Sequence, residues 1–275
     1  MPSLFQTFSQ PLLPPLRTYL VGQATATVKA SSLYLATHPT SVKQYCDAQI
    51  DDYAIGQKQR FRWSPPLRLL IQARFSHPIR ELQGTAGFGF WNYPFHHASL
   101  ALPQALWFFY ASPPSNLAFD LHTPGWGWKV ATLDAKQPFA PILAGLSPLL
   151  MLLMNNQTLY PRLWGMLQRL LRIQERSIPY SMTDWHVYAL DWGQQTVCFS
   201  VDGHFILRNA PAPQGPLSFV AWLDNQYAVV TPQGSLGWGL LANRSEQWLE
   251  IAWLGIEEGA RRPAEQVAAP PKPLI

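Results

Sequence analysis

Two cysteines in 275 residues, Cys46 and Cys198, are too few and too far apart for a zinc site or a redox pair. A pair of buried free thiols is the expected state, and their separation does not forbid a bridge. Charge is scarce too: charged residues are 13% of the chain, and 20 Lys and Arg against 16 Asp and Glu leave a net charge of +4. So small and dispersed an excess argues against nucleic acid as a partner. Long apolar runs are missing, since the most apolar stretch, Leu149 to Met154, lies between Pro148 and Asn155, well short of the roughly 18 residues of a membrane span. Met1 to Arg17 carries Pro2, Pro11, Pro14 and Pro15 without a basic n-region, so no secretory signal is read there and the cytoplasm is the expected location. No H-E-x-x-H, C-x-x-C or G-x-S-x-G occurs, and His96, His97, His122, His186 and His204 show no metal spacing. Catalytic zinc and a nucleophile-elbow hydrolase are therefore disfavoured, and no cofactor is expected.

What is abundant is apolar and aromatic: hydrophobic residues are 48% and aromatics 13% of the chain, enough for a sizeable core and too much for disorder. The 26 prolines and 17 glycines promise many turns and little long helix. One domain over residues 1–262 followed by a Pro-rich tail, 263–275, is the expected organisation. Short runs rich in aromatic and β-branched residues recur between turn residues, the pattern of an all-β sandwich. In Leu69 to Phe75 the odd positions are apolar while Gln72 and Arg74 lie between them, so one face can be buried. Further strands are expected at Gly84 to Trp91, Leu106 to Ala111, Trp185 to Leu190, Thr196 to Val201, His204 to Arg208, Leu217 to Leu223, Gly237 to Leu241 and Trp248 to Trp253. Asp202-Gly203 reads as a hairpin turn.

One segment departs from this pattern. From Pro161 to Ser177, Leu163, Met166, Leu167, Leu170 and Leu171 follow helical spacing and Arg162, Arg169, Arg172 and Arg176 fall opposite. A helical insertion over about 148–177 is expected. It either packs on the sandwich with its arginines in water or forms a lid or peripheral membrane anchor beside the mouth of a cleft.

Trp185-His186-Val187-Tyr188-Ala189-Leu190-Asp191-Trp192, followed by Val197 to His204 with Val201-Asp202-Gly203, resembles the paired strands of the concanavalin A-like jelly roll, and more narrowly family 16 glycoside hydrolases. The resemblance implies a two-sheet β-sandwich and, in that family, a strand bearing E-x-D-x-x-E whose carboxylates serve as nucleophile and acid. No such motif is present. The strand expected to carry it reads Leu106 to Ser112, with aromatics in place of carboxylates, so no catalytic residue carries over. Structural calcium held by backbone carbonyls and a lone Asp is consistent with the resembled fold.

Three groups of residues are candidates for a site. Asp224, in Trp222-Leu223-Asp224-Asn225-Gln226-Tyr227, is a candidate acid oriented by Asn225 or Gln226, or else the start of an Asx turn. Asp51 and Asp52 point to opposite faces of an extended chain, so only one can enter a cleft; burial among aromatics would raise its pKa, while pairing with Arg60, Arg62, Arg68 or Arg74 would make it structural. Trp91, Trp107, Trp126, Trp128, Trp222 and Trp238, with Asn92, Phe109, Tyr110 and Tyr227, are the candidate walls of an aromatic cleft on the concave face. The first expectation for function is binding of a hydrophobic small molecule, with acid-promoted isomerisation or cyclisation of it. The alternatives are a carbohydrate-binding or atypical glycosidase protein and a non-catalytic interaction module.

Overall fold

The computed structural model describes residues 3–53, 61–92, 102–231 and 233–259. The tail at 263–275, the histidines 96 and 97, and Arg60 lie outside the described residues.

Two antiparallel sheets account for most of the chain. The first runs β13 (His204–Pro211), β12 (Thr196–Val201), β11 (His186–Trp192), β6 (Leu67–Phe75), β17 (Gln247–Glu258), β4 (Ser32–Thr37), β3 (Ala24–Lys29), and β1 (Ser3–Thr7) pairs with the far half of β17. The second runs β10 (Gln174–Ser177), β9 (Gly127–Asp134), β8 (Gln104–Ala111), β7 (Thr85–Trp91), β14 (Ser218–Asp224), β5 (Asp47–Asp51), β2 (Arg17–Val21). A two-stranded ribbon, β15 (Gln226–Val230) with β16 (Leu236–Leu240), follows β14 directly. Every strand expected from the sequence is present, with shifts of a few residues at its ends.

The period of two explains the layering. On β6, Leu69, Ile71, Ala73 and Phe75 are fully buried while Gln72 and Arg74 alternate with them on the other face. Phe88, Phe108 and Trp128 from the second sheet meet Tyr188 and Phe199 from the first in edge-to-face contacts with centroids 5.1 to 5.8 Å apart. Aromatic pairs of this geometry add about 0.5–1.5 kcal/mol each beyond their buried area. The Asp202-Gly203 turn has φ of 50° and 79°, the left-handed pair that a type I′ hairpin requires. Its carboxylate then accepts from Val187 N at 2.8 Å and meets His186 Nδ1 at 2.5 Å. Within the segment that carries the family resemblance, Tyr188 and Trp192 are core residues and Asp191 pairs with Arg68 at 3.1 Å.

The insertion differs from expectation. Between β9 and β10 stand two helices, α1 (Ala140–Met154) and α2 (Tyr160–Leu170), and Arg176 lies on strand β10 rather than on a helix. The helix expected from Pro161 to Ser177 ends at Leu170, because Arg172 takes φ +51° and the chain turns to pair with β9. α1 begins before residue 148 because Pro141 sits in its first turn, where a missing N–H costs nothing. Both cysteines are free thiols; Cys46 is buried and Cys198 only half-buried.

Candidate functional site

The outward face of the second sheet is defined by its register. Side chains that alternate with the core residues line up across the strands in rows: Tyr19, Gln49, Trp222, Gly87, Phe109, Lys129 in one, and Arg17, Asp51, Val220, Gly89, Trp107, Ala131 in the next. The two glycines of β7 occupy the middle of both rows. A Cβ on Gly87 would sit 3.0 Å from the Trp222 ring and 2.2 Å from the Phe108 carbonyl, and one on Gly89 would sit 2.9 Å from Trp107 Cβ. Their bare backbone lets large rings from the flanking strands meet over β7.

Three aromatics do so, Trp107 and Phe109 of β8 and Trp222 of β14, and Trp91 at the end of β7 joins them. Trp107 lies 5.4 Å from Trp91, 5.6 Å from Phe109 in a stacked arrangement and 6.0 Å from Trp222, and Phe109 lies 6.0 Å from Trp222. Trp91, Trp107 and Trp222 are half-buried, so part of each indole faces out. The rings pack on one another and form a platform rather than the walls of the expected cleft. Cavities of about 340 and 360 Å³ lie elsewhere, the first between Phe61, Asn92, Leu102, Gln104, Lys136 and Pro216, the second around Arg62 to Pro66. The outward residues of β8 are Ala105, Trp107, Phe109 and Ala111, none of them a carboxylate.

Acids gather at one end of this platform. Asp224 of β14 is paired in register with Asp47 of β5, and both are buried. One oxygen of Asp224 accepts from Thr85 N at 3.2 Å, Thr85 Oγ1 at 2.9 Å and Gln226 N at 2.9 Å. Trp222 Nε1 donates to the same Thr85 hydroxyl at 3.0 Å, which ties the platform to the acids. Tyr45 donates to Asp47 Oδ2 at 3.1 Å, and Asp47 Oδ1 is buried without a hydrogen-bond partner. Burial raises the Asp224 carboxyl to about 6, and burial together with the neighbouring Asp224 charge pushes Asp47 well above the usual carboxylate range. Two carboxyls facing each other in a dry site do not both ionise readily.

A buried ion pair fixes the β9–β10 edge of the sheet. Lys129 Nζ lies 2.7 Å from Glu175 Oε2 and also donates to the Leu117 and Pro124 carbonyls at 2.8 and 3.1 Å. Glu175 Oε1 accepts from Phe119 N and Asp120 N at 2.8 and 3.0 Å, so the pair staples the 112–126 loop to β9 and β10. Burial lowers the Lys129 ammonium and raises the Glu175 carboxyl, and their mutual attraction opposes both shifts.

Of the residues anticipated from sequence, the outward face brings together Trp91, Trp107, Phe109, Trp222, Asp224 and Asp51. Asp51 is held by Arg17 at 2.6 Å, an arginine outside the four anticipated, with Gln49 Nε2 and Tyr53 N as further donors. Asp52 turns the other way, accepts from Trp63 Nε1 and from Phe219 N at 2.8 Å, and is raised to about 6 by burial. It clamps the segment around Trp63 and stands apart from the platform. Tyr110 and Trp128 point into the core rather than outward, and Tyr110 donates to the Leu82 carbonyl at 2.8 Å. Asn92 is spent on Leu102 O and Gln104 N, and Asn225 on Cys46 N, Gln44 O and Leu241 O, so each ties strands together and neither is free to orient an acid or a ligand. Trp126 lies under the Arg80 guanidinium at 4.7 Å, while Gln226, Tyr227 and the 80% exposed Trp238 belong to the ribbon. Asp47, Tyr45, Lys129 and Glu175 were not anticipated. The alternation Asp47-Ala48-Gln49-Ile50-Asp51 carried the signal for Asp47, with apolar residues at the even positions. Among the described residues no group of three or more His, Cys, Asp or Glu could hold a metal ion.

These two sheets form a concanavalin A-like β-sandwich, the jelly roll. The chain superposes on the GlcNAcα1-4Gal-releasing endo-β-galactosidase from Clostridium perfringens with a TM-score of 0.53 at 11% identity, over 92% of this chain and 60% of that one. It therefore spans less than two thirds of that enzyme. The Bacillus licheniformis β-glucanase (TM-score 0.49, 10% identity, 93% of this chain and 98% of that one) and the laminarinase from Flavobacterium sp. UMI-01 (0.49, 10%, 93% and 99%) are further similar structures. No protein-family model and no curated sequence matches the chain.

Proposed function

We propose that this protein binds glycan on the outward face of its second sheet, with Trp91, Trp107 and Trp222 as the stacking platform, the buried Phe109 packed against Trp107 and Trp222, and the buried Asp224 holding Trp222 through Thr85. The observation that carries the reading is the aromatic platform itself, built over two glycines on a fold of the kind seen in endo-β-galactosidase. Indole faces are suited to the apolar face of a pyranose ring. Since β8 presents no outward carboxylate, hydrolysis by a nucleophile and acid on that strand is not part of the proposal.

The test is titration calorimetry with β-glucan and β-galactan oligosaccharides against the wild type and the variants Trp107→Ala and Trp107→Phe. Loss of stacking should weaken binding by about tenfold or more in the alanine variant, a change of roughly 1.4 kcal/mol, with most of it restored by phenylalanine. Unchanged affinity in a folded Trp107→Ala variant, or no affinity of the wild type for any of these glycans, would refute it.

A second reading has one observation in its favour. Asp224, raised to about 6 and linked through Thr85 to Trp222, is an acid that still holds protons near neutral pH beside a cation-stabilising ring. This suits acid-promoted isomerisation or cyclisation of a hydrophobic small molecule. Native mass spectrometry of the freshly purified protein separates the two: a co-purifying isoprenoid supports the second reading and a retained oligosaccharide the first.

A further inference from the structure

Two neighbouring elements leave apolar faces in solvent. On α1, Ile142, Leu146, Leu149 and Leu152 recur at helical spacing and are 65, 46, 54 and 69% exposed. On the ribbon, Val230 pairs directly with Leu236, and Trp238, two residues on, shares their face; these are 46, 74 and 80% exposed. The ribbon turn abuts α1, where a Cβ on Gly234 would sit 3.0 Å from Met151 Sδ. Single exposed apolar residues are ordinary, whereas an adjoining helix stripe and ribbon face mark a contact surface.

Within the insertion that holds α1 the charged residues are all of one sign. Neither α1 nor the segment 226–241 contains a charged residue, and from 135 to 174 the charged residues are Lys136, Arg162, Arg169 and Arg172, without a single acid. Arg162 and Arg169 on α2 are exposed, while Arg172 lies 3.7 Å from Asp134. A second copy of the same surface would set these cations against one another; an anionic bilayer would neutralise them. α1 is about 22 Å long at 1.5 Å per residue, a length suited to lying in the plane of the interface. No helix among the described residues is long and apolar enough to cross a membrane.

We propose that α1 and the β15–β16 ribbon dock this protein on an anionic membrane surface, the leucines of α1 and Leu236 entering the boundary between headgroups and acyl chains and Arg162 and Arg169 meeting lipid phosphates. Tryptophan at position 238 fits this interface, where an indole has its apolar body in lipid and its N–H among headgroups. The anchor is thus the uncharged helix α1, with the basic helix α2 supplying the charge.

The full chain should co-sediment with phosphatidylcholine vesicles containing roughly one third phosphatidylserine, and much less with phosphatidylcholine alone or in high salt. The double variant Leu149→Ser with Leu152→Ser changes two exposed side chains, should keep its fold as checked by circular dichroism, and should bind these vesicles at least about tenfold more weakly. Equal binding by the double variant, or no binding of the wild type at low salt, overturns the proposal. Sedimentation velocity provides the remaining arm: a wild-type dimer that the double variant abolishes, without vesicle binding by either, assigns the patch to self-association and also overturns it.

Discussion

Replacing Asp224 by asparagine should stabilise the protein near neutral pH and do so less as the solution is acidified. The Asp224 carboxyl rises from its ordinary 3.8 to about 6 because it is buried, and its hydrogen bonds from Gln226 and Thr85 only partly offset that burial. Between 3.8 and 6 the folded state holds this proton while the unfolded state releases it, so stability falls as pH rises through that window. Below 3.8 the cost is absent, and above about 6 it is fully present. A displacement of this size is worth about 3 kcal/mol. Asparagine keeps an acceptor for Thr85 and Gln226 and cannot ionise, so the stability difference between variant and wild type should grow by about 2 kcal/mol from pH 4 to pH 7. Urea denaturation at pH 4, 5, 6, 7 and 8 measures it, and with a slope of about 3 kcal/mol per molar the midpoints should separate by about 0.8 M more at pH 7 than at pH 4. A difference that stays constant with pH, or that grows toward acid, would show that Asp224 is not held protonated by its surroundings.

Two further outcomes test the scaffold beneath the site. Lys129→Met leaves the Glu175 carboxylate buried without its cation and should cost about 3–5 kcal/mol in thermal or chemical denaturation, with early proteolytic cleavage in the 112–126 loop; replacing Glu175 by leucine in the same chain should recover much of the loss. Gly87→Ala forces a Cβ against the Phe108 carbonyl and the Trp222 ring and should cost about 1–3 kcal/mol by denaturation, while the same change at the open Gly165 should have little effect through packing.

Much of the architecture was legible in the chain because it follows from local patterns. The alternation from Leu69 to Phe75 needs only a period of two to separate a buried face from an open one, and Asp202-Gly203 needs only its tolerance of positive φ to define a hairpin. The paired strands around Trp185 to Gly203 were enough to imply the two-sheet sandwich, and the platform residues Trp91, Trp107, Phe109 and Trp222 could be picked out as aromatics on its strands. Helix α1 was hidden because Pro141 and Pro148 suggest turns, whereas one proline occupies the first helical turn and the other stands within the helix.

Tertiary structure decided which face each aromatic serves and which acids meet. Trp128 and Tyr110 read much like Trp107 and Phe109 in sequence, yet the pleat sends the first pair into the core and the second outward. Asp224 finds Asp47, Asp51 finds Arg17 and Lys129 finds Glu175 because strands distant in the chain pair in a particular register; burial shifts the Asp224 and Asp47 carboxyls upward, and the neighbouring Asp224 charge adds to the shift of Asp47. Local pattern records the period of each strand, but it does not record which strand lies beside it, and both the acid pair and the platform over Gly87 and Gly89 exist only between strands.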